Sequence, residues 1–231
     1  MRTHPARVAA SVLTALAGAI VILALAVVPF LNPAWVAFEQ DRSDAAGWTG
    51  YEQADLRAAT NAILVDLVLG PPDFDATVGG QPVLTETERG HMRDVRSVFA
   101  AFAALAAGAA AWLVIARWRG GAAWFWTVVR GGAVALVVGL AAAALIATLA
   151  FDAAFDLFHR LVFSGGNWAF DPATSRLVQL FPMQFWFETT LAVGAVAVVI
   201  ALGAAVLARG RRGGPAAGGR VGIEAAVRLP R

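Results

Sequence analysis

Apolar residues gather along this chain into four long blocks, Val8 to Phe30, Ser97 to Ala116, Thr127 to Leu149 and Phe185 to Ala208, while charge collects between them. Each block is close to the roughly 20 residues that a helix needs to cross a hydrocarbon core of about 30 Å. The first is preceded by Arg2 and Arg7, as a secretory signal would be. Its uncharged run, however, exceeds the h-region length of about 7 to 15 residues, and no clear small-x-small cleavage site follows, so it reads as a spanning helix. The pattern predicts an all-α integral membrane protein with four transmembrane helices at 8–30, 97–116, 127–149 and 185–208. Residues 1–7 precede the first, 31–96 and 150–184 form two long loops, 117–126 a short one, and 209–231 a tail.

The long loops carry patterns of their own. Residues 34–51 set Trp35, Trp48 and Tyr51 among acids, as an interfacial belt does. Residues 52–70 place Leu56, Ile63 and Leu67 at helical spacing before Gly70 and Pro71, which predicts an amphipathic surface helix. The stretch Thr77 to Val83 has the glycines of a small hairpin. Thr85 followed by Glu88 is a capping box, so a helix starts there and runs through His91 into the second span. The third span continues likewise, with Asp152, Asp156 and His159 on one stripe. After a turn at Gly165 and Gly166, Asp171 as N-cap and Pro172 at N1 predict a further helix, broken at Pro182 before Phe185, Trp186 and Phe187.

Composition supports this class: 59% of residues are hydrophobic and only 15% charged. The net charge of +2 comes from sidedness. Arginines flank the first span's start, the second-to-third connection and the fourth span's end, whereas the two long loops hold most of the acids. By the positive-inside rule both termini are expected to be cytoplasmic, and the two loops to form a small, mainly helical extracytoplasmic cap. The tail from Gly210, rich in Gly, Arg and Ala, is expected to be disordered, and its charge suits anionic inner-leaflet lipid without nucleic acid. With no cysteine, the chain has no disulfide, thiolate nucleophile or Cys metal site. No Gly-x-Ser-x-Gly elbow and no phosphate-cradling glycine motif is present.

The candidate chemistry lies in the histidines. Two of only three, His91 and His159, lie on the same predicted side of the membrane, each at an outer helix end with acids at helical spacing. Ionisable groups at membrane depth are costly and face protein interiors or water-filled cavities. Asp94, three residues after His91, is placed to orient its imidazole. Glu188, within the fourth apolar block, reads as an interfacial acid, and His4 has no neighbouring partner. Bis-histidine haem ligation, a zinc site of two histidines and an aspartate, and acid/base catalysis near pH 7 all remain open on residue type alone. A non-enzymatic assembly or transport component with a pH-sensing or metal-binding histidine pair is the alternative class.

The runs Glu-Arg-Gly-His-Met-Arg-Asp-Val-Arg (88–96), Phe-His-Arg-Leu-Val-Phe-x-Gly-Gly-Asn-Trp-x-Phe-Asp-Pro (158–172) and Leu-Phe-Pro-Met-Gln-Phe-Trp-Phe (180–187) resemble the bacterial lipoprotein intramolecular transacylase family, Lit. The resemblance covers about residues 8–208. It implies an enzyme of the bacterial cell membrane, with its site facing the outer leaflet, that acts on diacylglyceryl-modified lipoproteins. Such an enzyme moves the sn-2 acyl chain to the α-amine of the N-terminal cysteine, giving an N-acyl lyso-lipoprotein. The family's two functional histidines fall on His91 and His159. The aromatic residues Trp168, Phe163, Phe181 and Phe185, with Asp156, are then expected to hold the diacylglyceryl portion among membrane lipids. No cofactor is called for. An imidazole suffices to take a proton from an α-amine of pKa about 7.7 to 8.0.

Overall fold

The computed structural model describes residues 5–163 and 165–211. His4 and the tail beyond Arg211 lie outside them. Eight helices carry the described chain: α1 (Pro5–Val27), α2 (Pro33–Arg42), α3 (Ala45–Thr49), α4 (Gln53–Val68), α5 (Glu86–Gly120), α6 (Ala122–Val162), α7 (Arg176–Leu180) and α8 (Met183–Gly210). A 3₁₀ turn, Val28–Phe30, extends α1, and a two-stranded hairpin pairs β1 (Thr77–Val78) with β2 (Gln81–Pro82). Four helices, α1, α5, α6 and α8, are long and apolar enough to span a membrane.

These four form a bundle in which α1 touches the other three and α6 packs along α8, while α5 and α6 meet only narrowly. Without a hydrophobic drive between helices in lipid, close packing depends on small side chains. The contact layer accordingly holds Ala26, Ala133, Ala197 and Ala201, while Val138, Val199 and Val206 point outward. Gly132 lets α6 approach α1 closely: a Cβ there would meet Ala15 at 3.0 Å. Two indole N–H groups bridge helices, Trp112 to Thr14 Oγ1 (3.2 Å) and Trp124 to Ser11 Oγ (3.1 Å).

The remaining elements cap one end of the bundle around a second core of Leu56, Ile63, Phe74, Val83, Leu84, Met92, Leu177 and Leu180. Local sequence explains their boundaries. Asn32 caps α2, its Oδ1 accepting from Ala34 N (2.9 Å) and Trp35 N (3.1 Å), with Pro33 fixing the first turn. The hairpin turns through Gly79 and Gly80, both at positive φ as a type I′ turn requires. Thr85 and Glu88 form the capping box that starts α5. With 35 residues at 1.5 Å each, roughly 52 Å, α5 outreaches the hydrocarbon layer and carries its first turns into the cap.

Two features depart from the sequence pattern. Helix α6 is not continuous but kinks at Ala150 (φ −153°, ψ 46°). No Pro or Gly lies there; the preceding Thr148 back-bonds to Leu145 O (2.9 Å), a contact that bends helices. Nor does the chain restart as a helix at Asp171. That residue closes a turn, accepting from Ala173 N at Oδ1 (2.9 Å) and from Ser175 N at its carbonyl (2.8 Å). The helix begins after Ser175, whose hydroxyl accepts from Val178 N. The competing turn wins because an Asx side chain bonds the backbone two residues on as readily as it caps a helix.

Candidate active site

His91 lies on the second turn of α5 and His159 on the last turn of α6, and the cap end of the bundle brings them face to face, ring centroids 6.0 Å apart. Both are buried, at 6% and 8% exposure. Phe163 packs against both imidazoles, 4.8 Å from His91 and 5.4 Å from His159. Phe170 covers His91 at 5.7 Å, and Trp168 lies against His159 at 5.3 Å. Phe155 and Phe158 close the other sides of His159. The result is a pair of imidazoles in an aromatic enclosure, of low polarity and little access to water.

The two rings differ in what holds them. Nδ1 of His159 lies 2.8 Å from the carbonyl oxygen of Phe155, one turn earlier. A carbonyl only accepts, so the neutral ring carries its proton on Nδ1 and leaves the Nε2 lone pair available. His91 Nδ1, in contrast, is buried without a hydrogen-bond partner among the described residues. An unsatisfied buried polar atom is uncommon and costly. Here it leaves His91 free to carry its proton on either nitrogen.

The family model described as lipoprotein intramolecular transacylase Lit matches residues 12–186. The chain belongs to this family. Among solved structures, the membrane-integral lipoprotein intramolecular transacylase Lit from Bacillus cereus is similar at TM-score 0.70 and 19% identity, over 87% of this chain and 91% of that one. A variant of that protein with a histidine-to-arginine substitution aligns at TM-score 0.69 and 18% identity, over 87% and 89%. A search of curated proteins finds no match. Lit membership makes the chain a multi-pass membrane acyltransferase.

The other singled-out residues fall into place around the pair. Asp94 does not hydrogen-bond His91; it accepts from Asn167 Nδ2 at 2.9 Å, tying α5 to the second long loop. Asp156 pairs with Arg160 at 2.9 Å, an i,i+4 contact on the accessible face of α6. Phe181 and Phe185 pack edge-to-face at 5.2 Å, and both contact Trp186, which reaches Phe155 at 6.3 Å. They form a second layer behind His159. Among the described residues, no group of three His, Asp or Glu side chains is arranged to hold a metal.

Phe155, Phe158 and Phe170 also enclose the pair; Phe158 and Phe170 lie inside the run 158–172, whereas only the apolar character of Phe155 is legible in the chain. Asn167 escapes notice too, its one signal being its place inside the run that carries Trp168. Glu88 likewise does more than cap. At 1% exposure its carboxylate also accepts from Ser175 Oγ (2.6 Å) and Leu177 N (3.0 Å), fastening the second loop to α5 one turn before His91.

A second acidic site lies where α2 packs on α8. Glu188 accepts from Arg42 Nη2 (3.1 Å) and Gln184 Nε2 (2.9 Å). Glu39, 1% exposed, faces it with one carboxyl oxygen lacking any donor. An acceptor with no donor becomes satisfied if it is itself protonated, so this geometry favours the neutral acid of Glu39 beside the Glu188 carboxylate. Burial first, then this neighbouring carboxylate, pushes the Glu39 carboxyl up to about 7 from 4.5. Because the folded value is raised, folding holds an extra proton on Glu39 between about 4.5 and 7, and this site's contribution to stability falls as pH rises through that window. Glu39→Gln, which cannot ionise, is expected to flatten that part of the slope. The check is thermal unfolding in detergent from pH 4.5 to 8; a slope equal to that of the parent protein would refute the neutral acid.

Proposed function

We propose that this chain transfers the sn-2 acyl chain of a diacylglyceryl lipoprotein to the α-amine of that molecule's own N-terminal cysteine, at a site on the outer leaflet of a bacterial cell membrane. The observation that carries the reading is the buried imidazole pair, with His159 held in the tautomer that leaves Nε2 unprotonated. His159 Nε2 takes a proton from the amine as its nitrogen attacks the ester carbonyl carbon. His91 donates a hydrogen bond to the developing oxyanion. The C–O bond to glycerol then breaks, the leaving oxygen takes up the proton, and an amide and a free glycerol hydroxyl result. Both histidines finish as they began.

No covalent enzyme intermediate is required, since donor and acceptor share one molecule. Intramolecular placement of that kind reaches effective molarities of roughly 10⁵ to 10⁸ M when the geometry is held. The absence of cysteine and of a serine elbow agrees with this route. Trp168 and Phe163 flank the reacting ester, Phe181 and Phe185 line the side towards α8, and Asp156 stands at the rim. Arginine placement supports cytoplasmic termini, which puts the cap and its histidines on the far side of the membrane.

The test is mass spectrometry of lipoprotein N-terminal lipopeptides from bacteria lacking N-acylation activity, with and without this protein. The expected product has unchanged mass, and its fragments carry one acyl chain on nitrogen and one on glycerol. A lipopeptide that stays diacylglyceryl with the protein present in the membrane would sink the proposal.

A further inference from the structure

The imidazoles are too well covered for an ester to reach them without movement; α6 and its C-cap supply Phe155, Phe158 and Phe163, and the rest of the cover comes from one segment. Phe170 and Trp168, which lie on His91 and His159, both belong to the second long loop. This loop is fastened to α5 on either side of His91 by two carboxylates, each three residues away. Glu88 holds Ser175 and Leu177 from a fully buried position, with four donors satisfied in all. Asp94 holds Asn167 by a single hydrogen bond at the accessible edge. The amide assignment is unambiguous, because a carboxylate only accepts and must face the NH₂. Among the described residues the buried Asn167 Oδ1 has no donor, and the Asp94 contact is the side-chain hydrogen bond that holds the amide.

The two fastenings differ in strength. A buried carboxylate with several donors is costly to release, whereas a single accessible hydrogen bond exchanges readily with water. Gly166, at φ +69°, lets the chain turn just before Asn167. Between the fastenings run Trp168 and Phe170.

We propose that Asp94 is a positioning residue that acts through Asn167: it latches the segment 165–171 over the histidine pair, while Glu88 anchors its far end, so that release of the latch admits the diacylglyceryl ester and closure restores the aromatic enclosure. The identity of the ester rests on the function proposed above; the latch itself does not.

A charge swap tests it. Asn167→Asp sets two carboxylates against each other and removes the donor. The double variant Asp94→Asn with Asn167→Asp rebuilds the bond in the opposite sense. Two readouts are taken on the full-length protein in detergent: diethyl pyrocarbonate modification of His91 and His159, followed by peptide mass spectrometry, and kcat with KM for transacylation. The single variant is expected to raise the modification rate of both imidazoles roughly tenfold and to lower kcat by a similar factor, and the swap to return both to within about twofold. Unchanged modification in the single variant, or a double variant as reactive as the single one, overturns the latch. Modification that responds as described, in a wild-type protein without transacylation, upholds the latch and defeats the proposed reaction.

Discussion

Replacing His159 with alanine is expected to reduce transacylation by roughly 10²- to 10⁴-fold, the usual contribution of a positioned general acid or base. His91→Ala is expected to fall in the same range. Their roles are coupled, since the proton accepted at one ring and the charge stabilised by the other belong to one transition state. The double variant should therefore be little worse than the poorer single one, because groups that act as a unit are strongly non-additive. Each ring fills a buried place among aromatics, so alanine also leaves a small cavity. The informative companions are His91→Asn and His159→Asn, which retain polarity and much of the volume and cannot serve as the base. Initial rates on a synthetic diacylglyceryl lipopeptide, with thermal unfolding measured on the same samples, separate chemistry from folding. An asparagine variant at position 159 with unimpaired kcat and normal unfolding would remove the base from the mechanism.

His159 is assigned the base on one contact, the 2.8 Å approach of its Nδ1 to the Phe155 carbonyl. The contact is local to α6, an i−4 pairing that the sequence implies only once the helix is known to run through both residues. Its counterpart around His91 was not accessible in this way. Spacing places Asp94 at i+3 from His91, yet its partner is Asn167, 73 residues later. Long-range partners of this kind carry no periodic signature. Asp156 illustrates the same point at short range: it shares a stripe with His159, but Arg160 at i+4 is a cation and takes the carboxylate.

The spans were readable because lipid imposes a single requirement, about 20 apolar residues with every backbone group paired inside the helix. The histidine pair was readable because the chain uses the residue so sparingly. The cap was less so. Its core draws Leu56 from α4, Phe74 and Leu84 from the loop, Met92 from α5 and Leu180 from α7, and no single segment displays that pattern. Helix α2 did carry a signal, Asn32 followed by Pro33 as N-cap and N1, but aromatic residues at Trp35 and beyond read more strongly as an interfacial belt. Glu39 looked like one acid among many; its burial against Glu188 depends on α2 folding back onto α8.

The largest loss of stability is expected from Glu88→Ala. The carboxylate of Glu88 accepts from Thr85 N (2.7 Å), Thr85 Oγ1 (2.9 Å), Ser175 Oγ (2.6 Å) and Leu177 N (3.0 Å), all in the cap interior or its edge. Alanine removes every acceptor and leaves the Leu177 amide, a buried backbone donor, with no partner supplied by the side chain. Hydrogen bonds to a charged group contribute about 1.5 to 3 kcal/mol each, so even with water replacing the carboxylate at Thr85 a loss on the order of 4 kcal/mol follows. Glu88→Gln should lie between, since its oxygen can still satisfy one side while its NH₂ must face a donor on the other. Ser175→Ala, which deletes a donor and keeps the carboxylate, should be milder than either. Unfolding temperatures of the three variants in detergent give the order directly. Because the same contacts anchor the loop that carries Trp168 and Phe170, kcat should fall with stability in that order. A Glu88→Ala protein that unfolds at the wild-type temperature would show that the second loop is held elsewhere.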